Sequence, residues 1–158
     1  MLSDLVAREL QLDARPRDFC ISLSGGVDST VLLQCMVSLR DRYPLHLRAL
    51  HINFGLRGSE SDGDEDFCKA LCDRLRVELT TKKTVIGADS AVQEKARAFR
   101  LGCAESFPDS VEWLEAHHAD DQIETFFLRL LRGSSAQGLS GMKVSSSRKA
   151  KKVWRPFL

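Results

Sequence analysis

Short apolar runs alternate with longer helical patterns along most of this chain, and the alternation limits the folds open to it. The predicted strands are residues 19–23, 45–53, 77–81, 111–116 and 153–158. The predicted helices are residues 28–41, 62–75, 90–107 and 121–132, with a loop over residues 134–152. Repeated strand–helix alternation is typical of α/β proteins. We therefore predict a parallel five-stranded sheet with helices on both faces.

Composition places the chain among ordinary globular domains. Its 158 residues are 43% apolar and 28% charged, with a net charge of +1. No apolar run approaches the length of a membrane span, and residues 1–17 lack the apolar core of a signal peptide. The five cysteines have no framework-like spacing, so we expect reduced thiols in a cytoplasmic protein that has no membrane partner.

The segment Ser24-Gly25-Gly26-Val27-Asp28-Ser29 connects the first predicted strand to the first long helix. Glycines let the backbone approach an anion closely, and the free N–H groups and dipole of a helix start favour negative charge. Ser24 and Ser29 can add hydroxyl donors, while Asp28 can hold Mg²⁺ through bound waters. The pattern indicates a phosphate-binding loop; a Gly-rich turn with a capping residue is the plainer alternative.

Other polar residues follow the predicted strands at their carboxyl ends, where ligands of parallel sheets bind. They include His51 and Asn53 after the second strand, and His117 and His118 after the fourth. We expect these side chains and the glycine loop to share one edge of the sheet. That edge is the active-site hypothesis.

The stretch of residues 117–125 contains two histidines and several acids at a strand-to-helix junction. Asp120 is predicted to cap the following helix. Asp121 and Glu124 can help to hold Mg²⁺, and a histidine here can stabilise charge on a phosphoryl group. The spacing of the helix's apolar residues predicts a buried stripe: Ile123, Phe126, Phe127, Leu130 and Leu131.

Basic residues occur in three places that could face a polyanion. Arg57 lies in a glycine-containing turn, and Arg97 and Arg100 follow Glu94 at helical spacing. A solvated helix face with a Glu–Arg pair is the alternative reading. A third group near the end includes Lys149, Lys151 and Lys152, and a solvated loop would also explain it.

Four blocks of the chain together carry a family resemblance. SGGVDS resembles the loop of the N-type ATP pyrophosphatases, which cleave ATP between its α and β phosphates. HINFGLRGSESDGDE, AHHADDQIETFFLRLLRGSSAQGLSGM and the terminal RPFL look specifically like the tRNA(Ile)-lysidine synthetases. Phe54 departs from the family's usual histidine, and Leu101 stands where an arginine-tyrosine pair often ends the family's A-R-x-x-R-Y stretch. Family members also continue past the terminal strand, so residues 1–158 would be a PP-loop domain incomplete at its C-terminal end.

The resemblance implies a Rossmann-like adenine nucleotide alpha-hydrolase fold and a ligase that forms a C–N bond. The wobble cytidine of a CAU-anticodon isoleucine tRNA would attack ATP, releasing pyrophosphate, and free L-lysine would then displace AMP. ATP would contact Ser24, Gly25, Gly26, Val27, Asp28, Ser29 and Asn53. The catalytic residues would be Asp28, His117 and Asp121, with Mg²⁺ on the two aspartates. The tRNA would contact Arg57, Arg97, Arg100, Lys149, Lys151 and Lys152. A homodimer is left open.

Two alternatives remain at this stage. One is another PP-loop enzyme, either a tRNA thiolase or an amidating synthetase. Thiolases of the superfamily tend to carry C-x-x-C pairs, whereas this chain has Cys68-x-x-x-Cys72. The other is an inactive fragment that binds ATP without further chemistry.

Overall fold

The computed structural model describes residues 1–56, 58–85, 92–133, 140–148 and 151–158. Its helices are α1 (Leu2–Glu9), α2 (Val27–Ser38), α3 (Ser59–Leu75), α4 (Val92–Glu105) and α5 (Ala119–Leu131). Its strands are β1 (Arg17–Ser22), β2 (Leu45–Asn53), β3 (Glu78–Lys83), β4 (Val111–Leu114), β5 (Ser145–Arg148) and β6 (Lys151–Trp154). Every predicted strand and helix has a counterpart among these elements. Helix α1 was not among the predicted elements.

The strands form one sheet in the order β3-β2-β1-β4-β6-β5. All neighbours are parallel except β5, which pairs antiparallel with β6. The predicted α/β class is thus confirmed, with six strands rather than five. The additional strand β5 lies inside the predicted loop. It was not predicted because its three serines have little strand propensity, and pairing with β6 holds them in an extended conformation.

The two faces of the sheet are covered by different helices. Helices α1, α2 and α3 pack on one face, where Phe19 and Ile21 of β1 are fully buried. Helix α4 covers the other face through Cys103 and Ala104, which pack near Cys20 and Trp113. Alternate residues of β1 therefore enter two separate cores, as expected for a central parallel strand.

The prediction of a buried stripe on α5 is wrong. No described residue of this helix is buried; Ile123 and Phe127 are each 55% exposed and Leu131 is 83% exposed. Their spacing is helical, but within the described part of the chain no element packs against that side. Helical periodicity reports which residues share a face and does not by itself supply a partner.

Several remaining features agree with the sequence. All five cysteines are free thiols, and four of them are buried. Among the described helices, none has the length and apolarity that a membrane crossing requires.

A partly buried ion pair joins β1 to β4, and a side chain of β6 bonds the same carboxylate. Arg17 at the start of β1 donates from Nε and Nη2 to both carboxylate oxygens of Glu112, at 2.7 and 2.6 Å. Trp154 Nε1 donates to Glu112 at 2.6 Å. Burial raises the pKa of Glu112, but the bonds from Arg17 and Trp154 outweigh it and leave the pKa below its usual value of 4.5.

We expect Glu112→Gln to lower the free energy of unfolding by about 1–3 kcal/mol at pH 7, because charged hydrogen bonds are lost. A depressed pKa stabilises the fold above the unfolded value of 4.5 and loses that contribution as pH falls through the folded value. The gap between native and variant should therefore narrow below about pH 4.5 in urea unfolding curves. A gap independent of pH would contradict this role.

Candidate active site

Hydrogen bonds of its own serines fix the shape of the loop between β1 and α2. Ser24 Oγ lies 3.1 Å from Ser29 Oγ, and the Ser24 backbone N–H donates to Ser29 Oγ at 3.2 Å. Ser29 Oγ also lies 3.0 Å from the Gly26 carbonyl, to which it can donate. Gly26 is the N-cap of α2, so the helix start faces the loop. This arrangement fits the predicted phosphate-binding loop.

Gly25 is the residue of this loop that only glycine satisfies easily. Its φ is +92°, a left-handed value that side chains disfavour. A Cβ atom at this position would also lie 3.3 Å from Cβ of Asp64 on α3. Backbone conformation and the approach of α3 therefore both require glycine here.

A cavity of about 220 Å³ adjoins the loop and gathers residues from four separated parts of the sequence. The predicted site residues that line it are Ser24, Gly26, Asp28, Ser29, Arg100, His117 and Asp121. Phe54 also lines it and packs edge-on against Phe99 of α4, at a ring-centroid distance of 6.2 Å. A phenyl ring therefore forms part of the wall at the position where the resembled family usually has histidine.

His118 lies between the two aspartates that were predicted to hold Mg²⁺. Its Nε2 is 3.6 Å from Asp28 and 3.8 Å from Asp121. His118 is also the N-cap of α5, because its Nδ1 accepts from the Asp120 N–H while Asp121 accepts from the His118 N–H at 2.7 Å. The prediction that Asp120 caps the helix is wrong; its side chain lies in the first turn, 88% exposed.

Asp28 and Asp121 supply some of the oxygen ligands that Mg²⁺ needs. Asp28 and Asp121 both line the cavity beside the loop, and two carboxylates with phosphate oxygens and waters are a common Mg²⁺ environment. Within the described ranges, no group of three or more histidine, cysteine, aspartate or glutamate side chains forms a protein-only metal site. The aspartates therefore suit a cation that arrives with the nucleotide.

Asn53 does not join the cavity, although it was predicted to contact ATP. Its side chain is buried, and its amide nitrogen donates to Asp62 and Glu65 of α3, both at 3.0 Å. Its amide oxygen accepts from Gly55 at 2.9 Å. The hydrogen bonds that Asp62 accepts from Lys83 and, to a smaller extent, from Asn53 lower the pKa of its carboxyl group. Asn53 thus anchors the end of β2 to α3.

A second cavity, of about 700 Å³, lies between α4 and α5 and opens beside the first. The two share Arg100, Glu115, His117 and Asp121 as walls. Its lining is mixed: apolar side chains come from α4, α5, the sheet and residue 142, namely Leu101, Leu128, Trp113, Val153 and Met142. Charged side chains, among them Arg97 and Glu124, also line it. Its size and mixed lining suit an organic acceptor larger than a phosphate group.

Gln122 of α5 fastens the segment that follows the helix. Its Nε2 donates to the Met142 carbonyl and its Oε1 accepts from the Met142 N–H, both at 2.6 Å. Gly141 has φ +72°, and a Cβ there would lie 2.7 Å from Gln122 Oε1. This two-bond clasp explains why Gln122 and the Gly141-Met142 pair belong to one sequence block. Both partners lie in one sequence block, but no pattern in that block predicts the contact between Gln122 and Met142.

The predicted tRNA-contacting residues are not brought together. Arg97 and Arg100 lie on α4 beside the second cavity. Lys151 is buried, and its ammonium donates to the carbonyls of Phe107 and Pro108, so it does not form the predicted surface with Lys152. Lys152 points to the other sheet face, where its Nζ lies 4.2 Å from the Trp154 ring centroid. Arg57 and Lys149 lie outside the described residues.

Sequence comparisons agree with this architecture. The PP-loop domain family matches residues 3–158. A tRNA(Ile)-lysidine synthase from Haemophilus influenzae (strain PittEE) is 37% identical over 163 residues, covering 100% of this chain and 37% of that protein. The protein of the same name from Coxiella burnetii (strain RSA 493 / Nine Mile phase I) is 35% identical over 144 residues, covering 89% and 32%. The chain thus spans only about a third of these relatives.

A comparison of folds gives a similar architecture in a more distant protein. The U34-tRNA thiolase NcsA from Methanococcus maripaludis, solved with its [4Fe-4S] cluster, superposes with a TM-score of 0.73. The match covers 99% of this chain and 57% of the thiolase at 20% identity. At this identity the likeness supports the fold alone.

We expect Gly25→Ala to weaken ATP binding roughly 5- to 30-fold, because a left-handed backbone costs a side chain about 1–2 kcal/mol and the new methyl group presses on Asp64. Calorimetric titration with ATP measures the loss. Gly63→Ala is the matched control, since a Cβ there meets nothing within 4 Å. Equal affinities in both variants would show that the loop tolerates another conformation.

The clasp predicts a difference between two glycines of similar conformation. Gly133 (φ +70°) has open space for a Cβ, so Gly133→Ala should cost only the backbone strain of about 1–2 kcal/mol. Gly141→Ala should cost about 1–3 kcal/mol more in urea unfolding, because it also displaces Gln122. That excess should vanish in a Gln122→Ala background. Additive effects would argue against the clasp.

Proposed function

The chain belongs to the PP-loop domain family, and we propose that it is the ATP-using domain of an enzyme that attaches lysine to a tRNA. The acceptor would be the wobble cytidine of a CAU-anticodon isoleucine tRNA. Its C2 carbonyl oxygen attacks the α-phosphorus of ATP and pyrophosphate leaves. The amino group of free lysine then attacks C2, and AMP departs with the former carbonyl oxygen.

The observation that carries this proposal is the pair of adjoining cavities. The smaller holds the glycine loop and the larger lies beside it, with Arg100, His117 and Asp121 on the shared wall. A reaction that joins a nucleotide phosphate to a bulky acceptor needs such neighbouring spaces. The relatives named as tRNA(Ile)-lysidine synthases supply the identity of the acceptor.

Each group around the shared wall has a part in the first step. The N-terminus of α2 and the loop hydroxyls would bind the departing pyrophosphate. His117 would face the α-phosphoryl group and stabilise its developing negative charge. Asp28 and Asp121 would hold Mg²⁺, which supplies charge neutralisation to the phosphates when bound.

The acceptor would enter through the larger cavity. Arg97 and Arg100 line it from α4 and can meet phosphates of the tRNA backbone. Trp113, one of the apolar residues of the lining, suits the flat face of a base. The target base must leave its stack to reach ATP, at a cost of a few kcal/mol. Binding energy elsewhere on the tRNA would offset that cost.

The chain's own cysteines do not favour the thiolase alternative. Cys68 and Cys72 are buried in the core between α3 and the sheet. Burial raises the pKa of Cys68 to about 12 and that of Cys72 to about 11, so both stay protonated at neutral pH. Sulfur transfer and cluster binding require thiolates that reach the site.

The proposal is tested by ATP-dependent incorporation of labelled lysine into a CAU-anticodon isoleucine tRNA transcript. We expect incorporation by the native protein. Asp28→Asn and Asp121→Asn should each reduce it about 100-fold or more, because charge stabilisation at the phosphates is lost. Far-ultraviolet circular dichroism would verify that both variants fold.

Asp120→Asn is the matched control, because Asp120 is an exposed carboxylate in the same helical turn as Asp121. It should retain nearly full incorporation. Equal losses in Asp120→Asn and Asp121→Asn would point to a general effect of charge at the helix start. Lack of incorporation with ATP still bound would favour the fragment that binds ATP without further chemistry.

A further inference from the structure

Glu115 is a buried acid beside the candidate site to which neither the sequence motifs nor the proposed reaction assigns a role. It follows β4 directly and lines both cavities, although its side chain is only 8% exposed. Burying a carboxylate is costly unless a partner compensates the charge. The charged groups around Glu115 therefore indicate the role of its carboxylate.

The compensating charge comes from the end of the neighbouring strand. Arg155 follows β6, is 2% exposed, and places Nη2 2.7 Å from Glu115 Oε2. The other guanidinium nitrogen, Nη1, donates to the Lys143 carbonyl at 3.1 Å and to Ser146 Oγ at 3.2 Å. Because Arg155 is held from two directions, it keeps the Glu115 carboxylate at a fixed place at the sheet edge.

The same carboxylate faces His117. Its Oε2 lies 3.5 Å from His117 Nδ1, a buried nitrogen that makes no hydrogen bond within the described part of the chain, so the contact between the two side chains is electrostatic. The rest of the ring remains partly exposed and lines both cavities. His117 therefore presents a buried nitrogen to Glu115 and its opposite edge to the space beside the glycine loop.

We propose that Glu115, fixed by Arg155, is a positioning residue for His117. The negative charge of the carboxylate favours a proton on Nδ1, the buried nitrogen that faces it, so that Nε2 is the nitrogen offered to the cavity. The orientation stands on the geometry of these three residues. Its consequence for catalysis rests on the proposed function, in which His117 acts on the α-phosphoryl group.

The surrounding charges leave this assignment to Glu115. The other ionisable groups that line the smaller cavity are Arg100 of α4, Asp28 of α2 and Asp121 of α5. Asp121 accepts from the His118 backbone, and both aspartates lie near the His118 ring. A carboxylate next to a phosphate site would repel the ligand, but pairing with Arg155 neutralises Glu115.

The test is the tautomer of the neutral His117 ring, read from ¹⁵N chemical shifts of the full chain labelled in its four histidines. His117→Gln identifies the resonances. We expect Nδ1–H in the native protein. Because free imidazole prefers Nε2–H, Glu115→Leu combined with Arg155→Met should restore Nε2–H. Removing both charges together avoids leaving the buried Arg155 against an apolar side chain, whereas Gln at position 115 keeps a polar partner for it.

The matched control removes a partly buried Arg–Glu pair between β1 and β4, by Glu112→Leu with Arg17→Met. It should leave the His117 tautomer unchanged. Glu115→Gln, which keeps an acceptor oxygen, should retain Nδ1–H. Native His117 in the Nε2–H form, or a tautomer insensitive to the double replacement at 115 and 155, would overturn the proposal.

Kinetics then connect the orientation with the reaction. In tRNA-dependent ATP turnover, Glu115→Leu with Arg155→Met should reduce kcat about 10- to 100-fold with little change in KM for ATP, and Glu115→Gln should rescue most of it. A loss confined to KM would overturn the positioning role in catalysis. The expected tautomer shift with no turnover in the native protein would support the orientation and count against the proposed function.

Discussion

The parallel pairing of β1 with both β2 and β4 is the constraint on which the site depends. Ile21 is in register with Ala49 on one side and with Leu114 on the other, so β1 and β4 end within one residue of each other while β2 continues to Asn53. Residues that directly follow the strands then meet without any further device. The glycine loop follows β1 and the histidines follow β4, which brings segments about 90 residues apart in the sequence into one cavity.

Burial at the carboxyl edge gives this site its rigid parts. His51 is buried and its Nδ1 lies 2.9 Å from the Leu23 carbonyl, so the last residue before the glycine loop is fixed from β2. Arg155 and Glu115 join the ends of β6 and β4 in the same way. Polar groups that are buried and paired hold one geometry, because any displacement would leave them unsatisfied. The exposed ends of the candidate site residues thus extend from a fixed edge.

Much of the site was predictable because its signals are local. A strand, two glycines and a helix start define the phosphate loop within a few residues, and the block around His117 and Asp121 follows the same logic. Sequence gives less guidance where a second segment determines what a side chain contacts. Lys151 was predicted to contact tRNA phosphates, but its ammonium donates to the carbonyls of Phe107 and Pro108, which follow α4. Asn53 was predicted to contact ATP, but its amide nitrogen donates to Asp62 and Glu65 of α3.

The sequence by itself determined the α/β class, the loop and the acids near the strand ends, because each depends on periodicity or on a short run of residues. Only the tertiary structure decided which polar groups face the cavity. Glu115 directly precedes the block around His117 but belongs to no motif, and its role depends on Arg155, which lies 40 positions away along the chain. The exposed apolar face of α5 likewise depends on packing. Contacts between distant segments arise from topology, and periodicity carries no record of them.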